Sequence, residues 1–557
     1  MDYSILADVY EKLEATPAKL AKTGILAELL KKTSPELLPK VTLLSCGRVF
    51  PQWSQQEIGV ADKMMIRAIA KATGFKDSEI VQKFKKIGDL GLVAEECIKT
   101  KKQSSFFKKQ LTVDKAFENI KQLASVSGAG SQDRKLNLIA ELLVSAKPKE
   151  ARYVVRTILE TLRIGVAEGI VRDAIAKAFA AAADLVEHAW NLLPDYGEIA
   201  KVAREKGNNG LKKVELELGK PIQMMLGEKA ESIEEVVKEF GKVAAEYKYD
   251  GMRAQIHKKD NQIWIFTRRL EDVTKQFPDL VDLCKKCLKI KNCIVEGEVL
   301  GIDSKTGSPL PFQALSQRIH RKYDIEKMIK EIPIQIHLFD ITYLEDEMLF
   351  DKKFTERREI LKQIVKPIAK KFELAKQMVS NDAKELDKFY NEALKAKQEG
   401  LFLKVLDSSY VFGRHVGGWY KIKPIMETLD LAIIGATWGR GARTKWLSSY
   451  VLACRDPNTG KFLTCGMMGT GLTEEQFQLM TDALKPLIIS EKGTEVKLKP
   501  KVVVEVAYQE IQKSPTYESG MALRFPKLQR IREDKGPDEA DTIERVQFLY
   551  KSQSKIK

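Results

Sequence analysis

The sequence predicts a multi-domain chain of three classes in succession: an all-α part, an α+β part and a small all-β barrel. Three observations predict it. The 557 residues exceed what one hydrophobic core can organise and suggest about three or four domains. Apolar residues recur at helical spacing up to about residue 218 and at strand spacing beyond it. Past about residue 425, short apolar runs alternate with glycine turns.

Composition narrows the class. With 44% hydrophobic and 31% charged residues, the chain reads as soluble and globular. A net charge of +16 points to a polyanionic partner, or else to a thermophile-like surface rich in both Lys and Glu. The N-terminal "MDYSILADVYEKLEATPAKL" is acidic and amphipathic, unlike a signal peptide. The longest apolar run, 173–193, is interrupted by Asp173, Lys177, Asp184 and Glu187 and is expected to be one core helix, not a membrane span. Seven cysteines make no disulfide framework, which places the protein in a reducing cytoplasm. Cys284 and Cys287 form a CxxC without a second pair nearby, so two half-buried thiols on one helix are expected over a zinc site.

The first predicted domain, 1–220, is helical, with Ser34 as N-cap and Pro35 at the first position of one helix. No internal repeat is apparent. Turn signals at Asn208-Asn209-Gly210 and Pro221 place the first boundary. In the second domain, 221–424, "AEYKYDGMRAQIHKKDNQIWIFTRR" reads as two strands joined at Asp260-Asn261, and "NCIVEGEVLGI" and "IPIQIHLFDITYL" read as buried strands. Helical patterns such as "KKFTERREILKQIV" lie between them, hence α+β. The third domain, 425–557, carries "LDLAIIGATW", "SSYVLACRD", "FLTCGMMG" and "KVVVEVAYQEI", then a C-terminal helix.

The chemistry gathers around "YKYDGMR". Lys248 becomes a nucleophile if positive charge or desolvation lowers its pKa, and its amine can then attack the α-phosphorus of a nucleoside triphosphate. Gly251 would admit a close backbone approach to the nucleotide, and Arg253 would anchor sugar or phosphate. Alone, this stretch is suggestive, with a surface hairpin as the alternative. Downstream, "VEGEVLG" offers Glu296 and Glu298, "IHLFDITYL" Phe339, "EGLFLKVLD" Glu399 and Lys404, and "GGWYKIKP" Lys421 and Lys423 on one strand face. Taken singly, each is an edge charge or a core aromatic. Together they supply a nucleophile, carboxylates for Mg²⁺, a ring for a base and cations for phosphates. No P-loop pattern is present.

In this order, "YKYDGMR", "TRRLEDVT", "VEGEVLG", "IHLFDITYL", "EGLFLK", "WYKIKP" and "LRFPKLQRIREDK" resemble the successive motifs of the ATP-dependent DNA ligases, archaeal type, similar to eukaryotic DNA ligase I. The resemblance runs nearly the full length and includes "GAGSQDRK" and "LRIGVAEG" in the helical part, which it implies to be a DNA-binding domain. It implies an adenylation domain at 221–424 and an OB-fold at 425–557. It implies Lys248 as the adenylated nucleophile, Glu246 in adenine recognition, Arg253 on the ribose, Arg268 on nucleotide and nick phosphate, Phe339 stacked on adenine, and Lys421 and Lys423 on the α-phosphate. Glu298 would contact the ribose or a metal, and Glu399 the metal. Arg530, Arg532, Asp534 and Lys535 would orient pyrophosphate in the first step only, from a barrel domain that swings. "FGRHVGGWYK" departs from the family pattern, so Arg414 is assigned as the nearest arginine to Lys421. Gln103, Phe106 and Phe107 in "KKQSSFF" resemble a sliding-clamp docking segment.

The implied protein seals 3′-hydroxyl/5′-phosphate nicks in duplex DNA, in replication, repair and recombination. It would use ATP with Mg²⁺ (or Mn²⁺) and act as a cytoplasmic, nucleoid-associated monomer off the membrane. A capping guanylyltransferase or RNA ligase shares the lysine core but needs no long helical part ahead of it. An NAD⁺-dependent ligase would carry a four-cysteine zinc module. A basic DNA-binding scaffold with a dead nucleotide site is the alternative outside enzymes.

Overall fold

The computed structural model describes every residue except 55, 101–109, 129, 311, 320–323, 414–416, 424–426, 440–442 and 557, and leaves out the side chains of 313 and 554–556. Its contacts divide into two compact units. One comprises Met1–Val81, Leu90–Tyr390 and Gly400–Ile422, and the other Gln82–Asp89, Asn391–Glu399 and Lys423–Lys557. Among the described residues no helix is long and apolar enough to cross a membrane.

Twelve α-helices run between Tyr3 and Lys212 among the described residues. They contain a duplication that the expectation of no repeat overlooked. "EIGVADKMMIRAIAKA" at 57–72 returns as "RIGVAEGIVRDAIAKA" at 163–178, and "KTGILAELL" at 22–30 as "KLNLIAELL" at 135–143. The spacing of about 110 residues and the divergence between the paired segments hid it. The two copies interlock: helix Lys19–Lys32 packs on Glu168–Ala178, and its counterpart Ser131–Ser145 packs on Asp62–Thr73.

A lysine crosses each contact. Lys22 Nζ donates to the carbonyls of Ile164 (2.8 Å) and Gly165 (3.2 Å), and Lys135 Nζ to those of Ile58 (2.7 Å) and Gly59 (3.4 Å). Both glycines are left-handed, with φ of 67° at Gly165 and 62° at Gly59, which turns two successive carbonyls toward one ammonium. A Cβ on Gly165 would strike the Lys22 amine. Burial pushes the pKa of both lysines down, because the ammonium loses water that carbonyls replace only in part.

The run 173–193 is two helices, Glu168–Ala178 and Ala183–Leu192, not one. The alanine run would continue a helix on propensity alone. Packing overrides it: Ala180 turns left-handed at φ 51°, and Asn208 Oδ1 accepts from the Ala182 N–H as the new helix starts. Ser34 does not cap a helix beginning at Pro35. Residues 35–37 form a turn, the N–H groups of Leu37 and Leu38 donate to the Ser34 carbonyl, and the helix runs Leu38–Ser45 with Pro39 in its first turn.

The mixed part holds two sheets. Its strands are β1 (Glu228–Lys229), β2 (Val243–Lys248), β3 (Met252–Lys259), β4 (Gln262–Thr267), β5 (Asn292–Gly301), β6 (Ile334–Leu344), β7 (Glu347–Met348), β8 (Phe372–Leu374), β9 (Gln377–Ser380), β10 (Gly400–Val405) and β11 (Trp419–Ile422). One sheet has the order β1-β11-β10-β2-β9; the other runs β4-β3-β5-β6-β7 with β8 beside β6. Cys284 and Cys287 lie on helix Pro278–Cys287 in the core over the second sheet.

In the second unit, β12 (Leu429–Trp438), β13 (Leu447–Arg455), β14 (Phe462–Met468), β15 (Ile488–Lys492), β16 (Glu495–Leu498), β17 (Val503–Ala507) and β20 (Lys527–Ile531) form a seven-stranded sheet. β18 (Glu510–Lys513) and β19 (Met521–Arg524) form a hairpin, so "KVVVEVAYQEI" is two strands. The sheet's core includes Leu431, Tyr450, Phe477 and Val504, and helix Ile543–Ile556 closes the chain. This is the expected β-rich, OB-like third part.

Lys22→Met and Lys135→Met each strand two inward carbonyls. Each substitution is expected to cost about 1–3 kcal/mol, read as a lowered thermal midpoint of the helical signal.

Candidate active site

The register of the first sheet builds the site. β10 pairs antiparallel with β2, setting Gly400 opposite Lys248, Phe402 opposite Glu246 and Lys404 opposite Ala244. On its other edge β10 pairs with β11, setting Phe402 opposite Lys421 and Lys404 opposite Trp419. Directly opposed residues share a sheet face, as do residues two apart. Lys248, Glu246, Phe402, Lys404, Lys421 and Trp419 therefore share one face. Lys248 Nζ lies 5.5 Å from the Phe402 ring centroid, and Lys421 Nζ donates to the Gly227 carbonyl (3.2 Å).

Glu246 is buried, and its neighbours explain how a carboxylate survives there. Lys404 Nζ lies 2.7 Å from its Oε2, while Gln377 Nε2 donates to Oε1 at 2.9 Å and Arg358 Nη1 lies 3.4 Å from Oε1. Arg358 also donates to the carbonyls of Leu338 (3.2 Å) and Ala375 (2.6 Å). Its helix neighbour Arg357 makes a two-pronged pair with Asp340, at 2.8 and 3.0 Å, fully buried on both sides.

The second sheet contributes Arg253, opposite Glu298 on β5. Arg253 donates to Glu296 Oε2 (3.0 Å) and to the Met225 carbonyl (2.6 Å), and its guanidinium lies 5.5 Å from the Phe339 ring and 5.6 Å from Trp419. Glu296 also accepts from Tyr410 Oη (3.0 Å) and Gln255 Nε2 (3.4 Å). Despite burial, the Glu296 carboxylate beside it holds the Arg253 pKa above its ordinary value. Phe339 is half-buried and meets Trp419 edge-on at 5.9 Å. Glu298 is half-buried and Arg268 is exposed just past β4.

Glu399 and Lys423 belong to the second unit, where they pair with each other. Of the C-terminal residues, Arg532 donates to Asp534 (2.8 and 2.7 Å) and Asp430 (2.7 Å), Lys535 to Asp430 (2.7 Å), and Arg530 to Glu505 (2.6 Å). The Arg532 guanidinium holds the Asp534 carboxyl well below its usual range. Arg414, Gln103, Phe106 and Phe107 lie outside the described residues.

Sequence reasoning passed over Gln255, Arg357, Arg358, Gln377 and Tyr410. Their partners are distant in sequence, so no local signal marked them beyond the alternation of polar residues on β3. Gly251 has a structural reason to be glycine: a Cβ there would press on the Val299 carbonyl and the Leu300 and Glu298 side chains.

A strand-end lysine with a buried carboxylate two residues before it, a cationic strand beside it and a ring over an arginine define a nucleotidyltransferase centre. The chain belongs to the ATP-dependent DNA ligases. Family profiles match at 2–176 ("DNA ligase N terminus"), 224–423 ("ATP dependent DNA ligase domain") and 443–535 ("ATP dependent DNA ligase C terminal region"). A DNA ligase of Thermococcus onnurineus (strain NA1) is 47% identical over 100% of this chain and 99% of its own. That of Archaeoglobus fulgidus is 45% identical, covering all of both chains. The solved structure Pmar-Lig_PreS3 matches 94% of this chain and 99% of its own with a TM-score of 0.60 at 17% identity, a likeness of fold. The protein is thus an ATP-dependent enzyme that joins nicked DNA.

Two outcomes are expected from this geometry. Gly251→Ala should lower self-adenylation by tenfold or more, measured as label transferred from ATP, because its Cβ meets backbone that cannot give way. The second concerns pH. Burial holds His257 neutral, with its pKa pushed down to about 3, while Nδ1 accepts from Gly219 N–H and the other nitrogen meets Gln255 Oε1 at 3.0 Å. The unfolded chain binds that proton near pH ~6.5. This contribution to stability is therefore complete above that pH and is lost progressively as pH falls toward about 3. His257→Gln should flatten the fall in melting temperature between those limits.

Proposed function

We propose that Lys248 is the nucleophile of a three-step ligation. Its amine attacks the α-phosphorus of ATP; an N–P bond forms and pyrophosphate leaves. The AMP passes to the 5′-phosphate of a nick. The nick's 3′-hydroxyl then attacks that phosphate, closing the strand and expelling AMP. The observation that carries this reading is the shared face: Lys248 stands beyond Glu246 on β2, with Phe402 and Lys421 in the adjacent row. Such transfers depend mostly on positioning and on neutralised charge.

Roles follow chemistry. Glu246 contributes to adenine recognition, Phe339 stacks on the base, Arg253 holds the ribose, and Lys421 and Lys423 neutralise the α-phosphate. Arg268 holds the nucleotide and then the nick phosphate, and Arg414 supports the α-phosphate. Glu298 and Glu399 offer hard oxygen ligands. Among the described residues no group of three acidic, His or Cys side chains converges on one point. Such carboxylates fit Mg²⁺ (or Mn²⁺), which takes oxygen ligands, keeps several waters and shares its shell with substrate phosphates. When bound, the ion would offset phosphate charge. Residues 1–220 bind the duplex, 221–424 carry the adenylation chemistry, and the barrel at 425–557 supplies Arg530, Arg532, Asp534 and Lys535 to pyrophosphate departure. Gln103, Phe106 and Phe107 dock a sliding clamp, and the enzyme is a monomer at the cytoplasmic nucleoid.

A pulse and chase tests the core. Protein charged with α-labelled ATP and a divalent ion should retain label after denaturation, and Lys248→Ala should retain none. Added nicked duplex should remove the label as product forms; label indifferent to nicked DNA would refute the substrate. With a net charge of +16 acting on the backbone, sealing should weaken steeply as salt rises while self-adenylation changes much less. Equal salt slopes would count against duplex binding by charge.

A further inference from the structure

Lys404 is a fully buried lysine that the ligation steps do not use. Three rings surround its ammonium: Trp419 at 4.1 Å, Phe339 at 4.6 Å and Phe354 at 4.7 Å to the centroids. Its charge goes to Glu246 Oε2 at 2.7 Å. We propose that Lys404 is a positioning and specificity-determining residue, fixing the Glu246 carboxylate as an oriented acceptor that selects a purine bearing an exocyclic amine over one bearing a keto oxygen. This rests on the reading of Glu246 as the base-recognising group.

Lone pairs and charge carry the argument. An ionised carboxylate accepts at about four positions and donates at none. Gln377 donates a hydrogen bond to Oε1, while Arg358 and Lys404 act as charge partners at 3.4 Å and 2.7 Å, so every group facing the carboxylate is a donor or a cation and its remaining lone pairs still demand a donor. An amine meets that demand. A keto oxygen would set lone pair against lone pair in a buried place, where the mismatch costs most. Without a cation beside it, the carboxylate would lose the partner that fixes its orientation, and the discrimination would weaken. Lys404 prevents this from β10, where its backbone is fixed between Ala244 and Trp419. The same ammonium lies against Phe339, so it also ties the stacking ring to the carboxylate that reads the base edge.

The test compares self-adenylation with ATP, GTP and purine riboside triphosphate, which has neither exocyclic group. Variants are Glu246→Gln, Lys404→Met, Lys404→Gln and Lys404→Arg. Wild type should prefer ATP over the amine-free analogue by about 10- to 100-fold in kcat/KM, the range of a hydrogen bond to a charged acceptor. Lys404→Met should shrink that preference to about threefold or less, mainly through KM for ATP, and relax rejection of GTP. Lys404→Arg should restore part of the preference by restoring charge. Lys404→Gln, one bond shorter and uncharged but still a donor, should fall between; it decides the case if the Met variant does not fold. An equal loss with all three triphosphates, or an intact preference in folded Lys404→Met or Lys404→Gln, overturns the inference while Glu246 still reads the base. An unchanged preference in Glu246→Gln instead overturns the reading of Glu246 itself.

Discussion

The pairing of β2 with β10 is the constraint on which the site depends. It sets Lys248 against Gly400, and the β10–β11 pairing then sets Lys421 against Phe402. A slip of one residue would turn every one of these side chains to the opposite face. The register holds because the other face is apolar: Leu401 and Leu403 are buried there, with Ala245 of β2 beside them. Gly400 secures the end of the ladder. Its φ of 142° and the closeness of the Ile422 carbonyl leave no room for a Cβ where Lys248 must stand. Hydrophobic burial on one side thus fixes polar chemistry on the other.

That chemistry requires charges inside protein, where each ion loses hydration worth several kcal/mol (~) and only good geometry offsets it. The site solves this by giving each of three buried carboxylates an arginine. Glu246 has Arg358, Lys404 and Gln377; Asp340 has Arg357; Glu296 has Arg253, Gln255 and Tyr410. Arg357 and Arg358 are neighbours on helix Phe354–Ile364, about 100° apart around its axis. One reaches β6 of the second sheet, the other β2 of the first. The helix therefore latches the two sheets through their charges. Removing one partner would leave the other buried and unpaired, a loss of about 3–5 kcal/mol.

The fold and the site differed in how much the sequence disclosed. Periodicity separated helical, mixed and barrel parts because each period reports which face is buried. Site residues read as ordered motifs where a local strand carried them: Lys248 and Glu246 on β2, Glu298 on β5, Phe339 on β6, and Lys421 on β11. What stayed hidden was non-local. Arg357 and Arg358 look like solvated charges on an amphipathic helix, yet both are buried. Lys404 was visible as a lysine after "EGLFL", but its significance lies in Glu246, 158 positions away (404 − 246), and in rings from three elements. The helical duplication was present in the letters and missed, because its halves diverge outside the Ile-Gly-Val-Ala turns, the helices after them and the "KTGILAELL" and "KLNLIAELL" segments. Each of those turns gives two carbonyls to a lysine of the opposite half.

The barrel follows the same economy with a different consequence. Arg532 is held by Asp430 at the start of β12 and by Asp534 two residues on, and Lys535 shares Asp430. Arg530 is held by Glu505 on β17. Every one of these pairs lies within the barrel's own strands and the turn that follows them. The C-terminal cations are thus arranged by the barrel alone, whatever surface it meets. A guanidinium has five donors, and Arg532 spends three nitrogens on two carboxylates in a fork that fixes its plane.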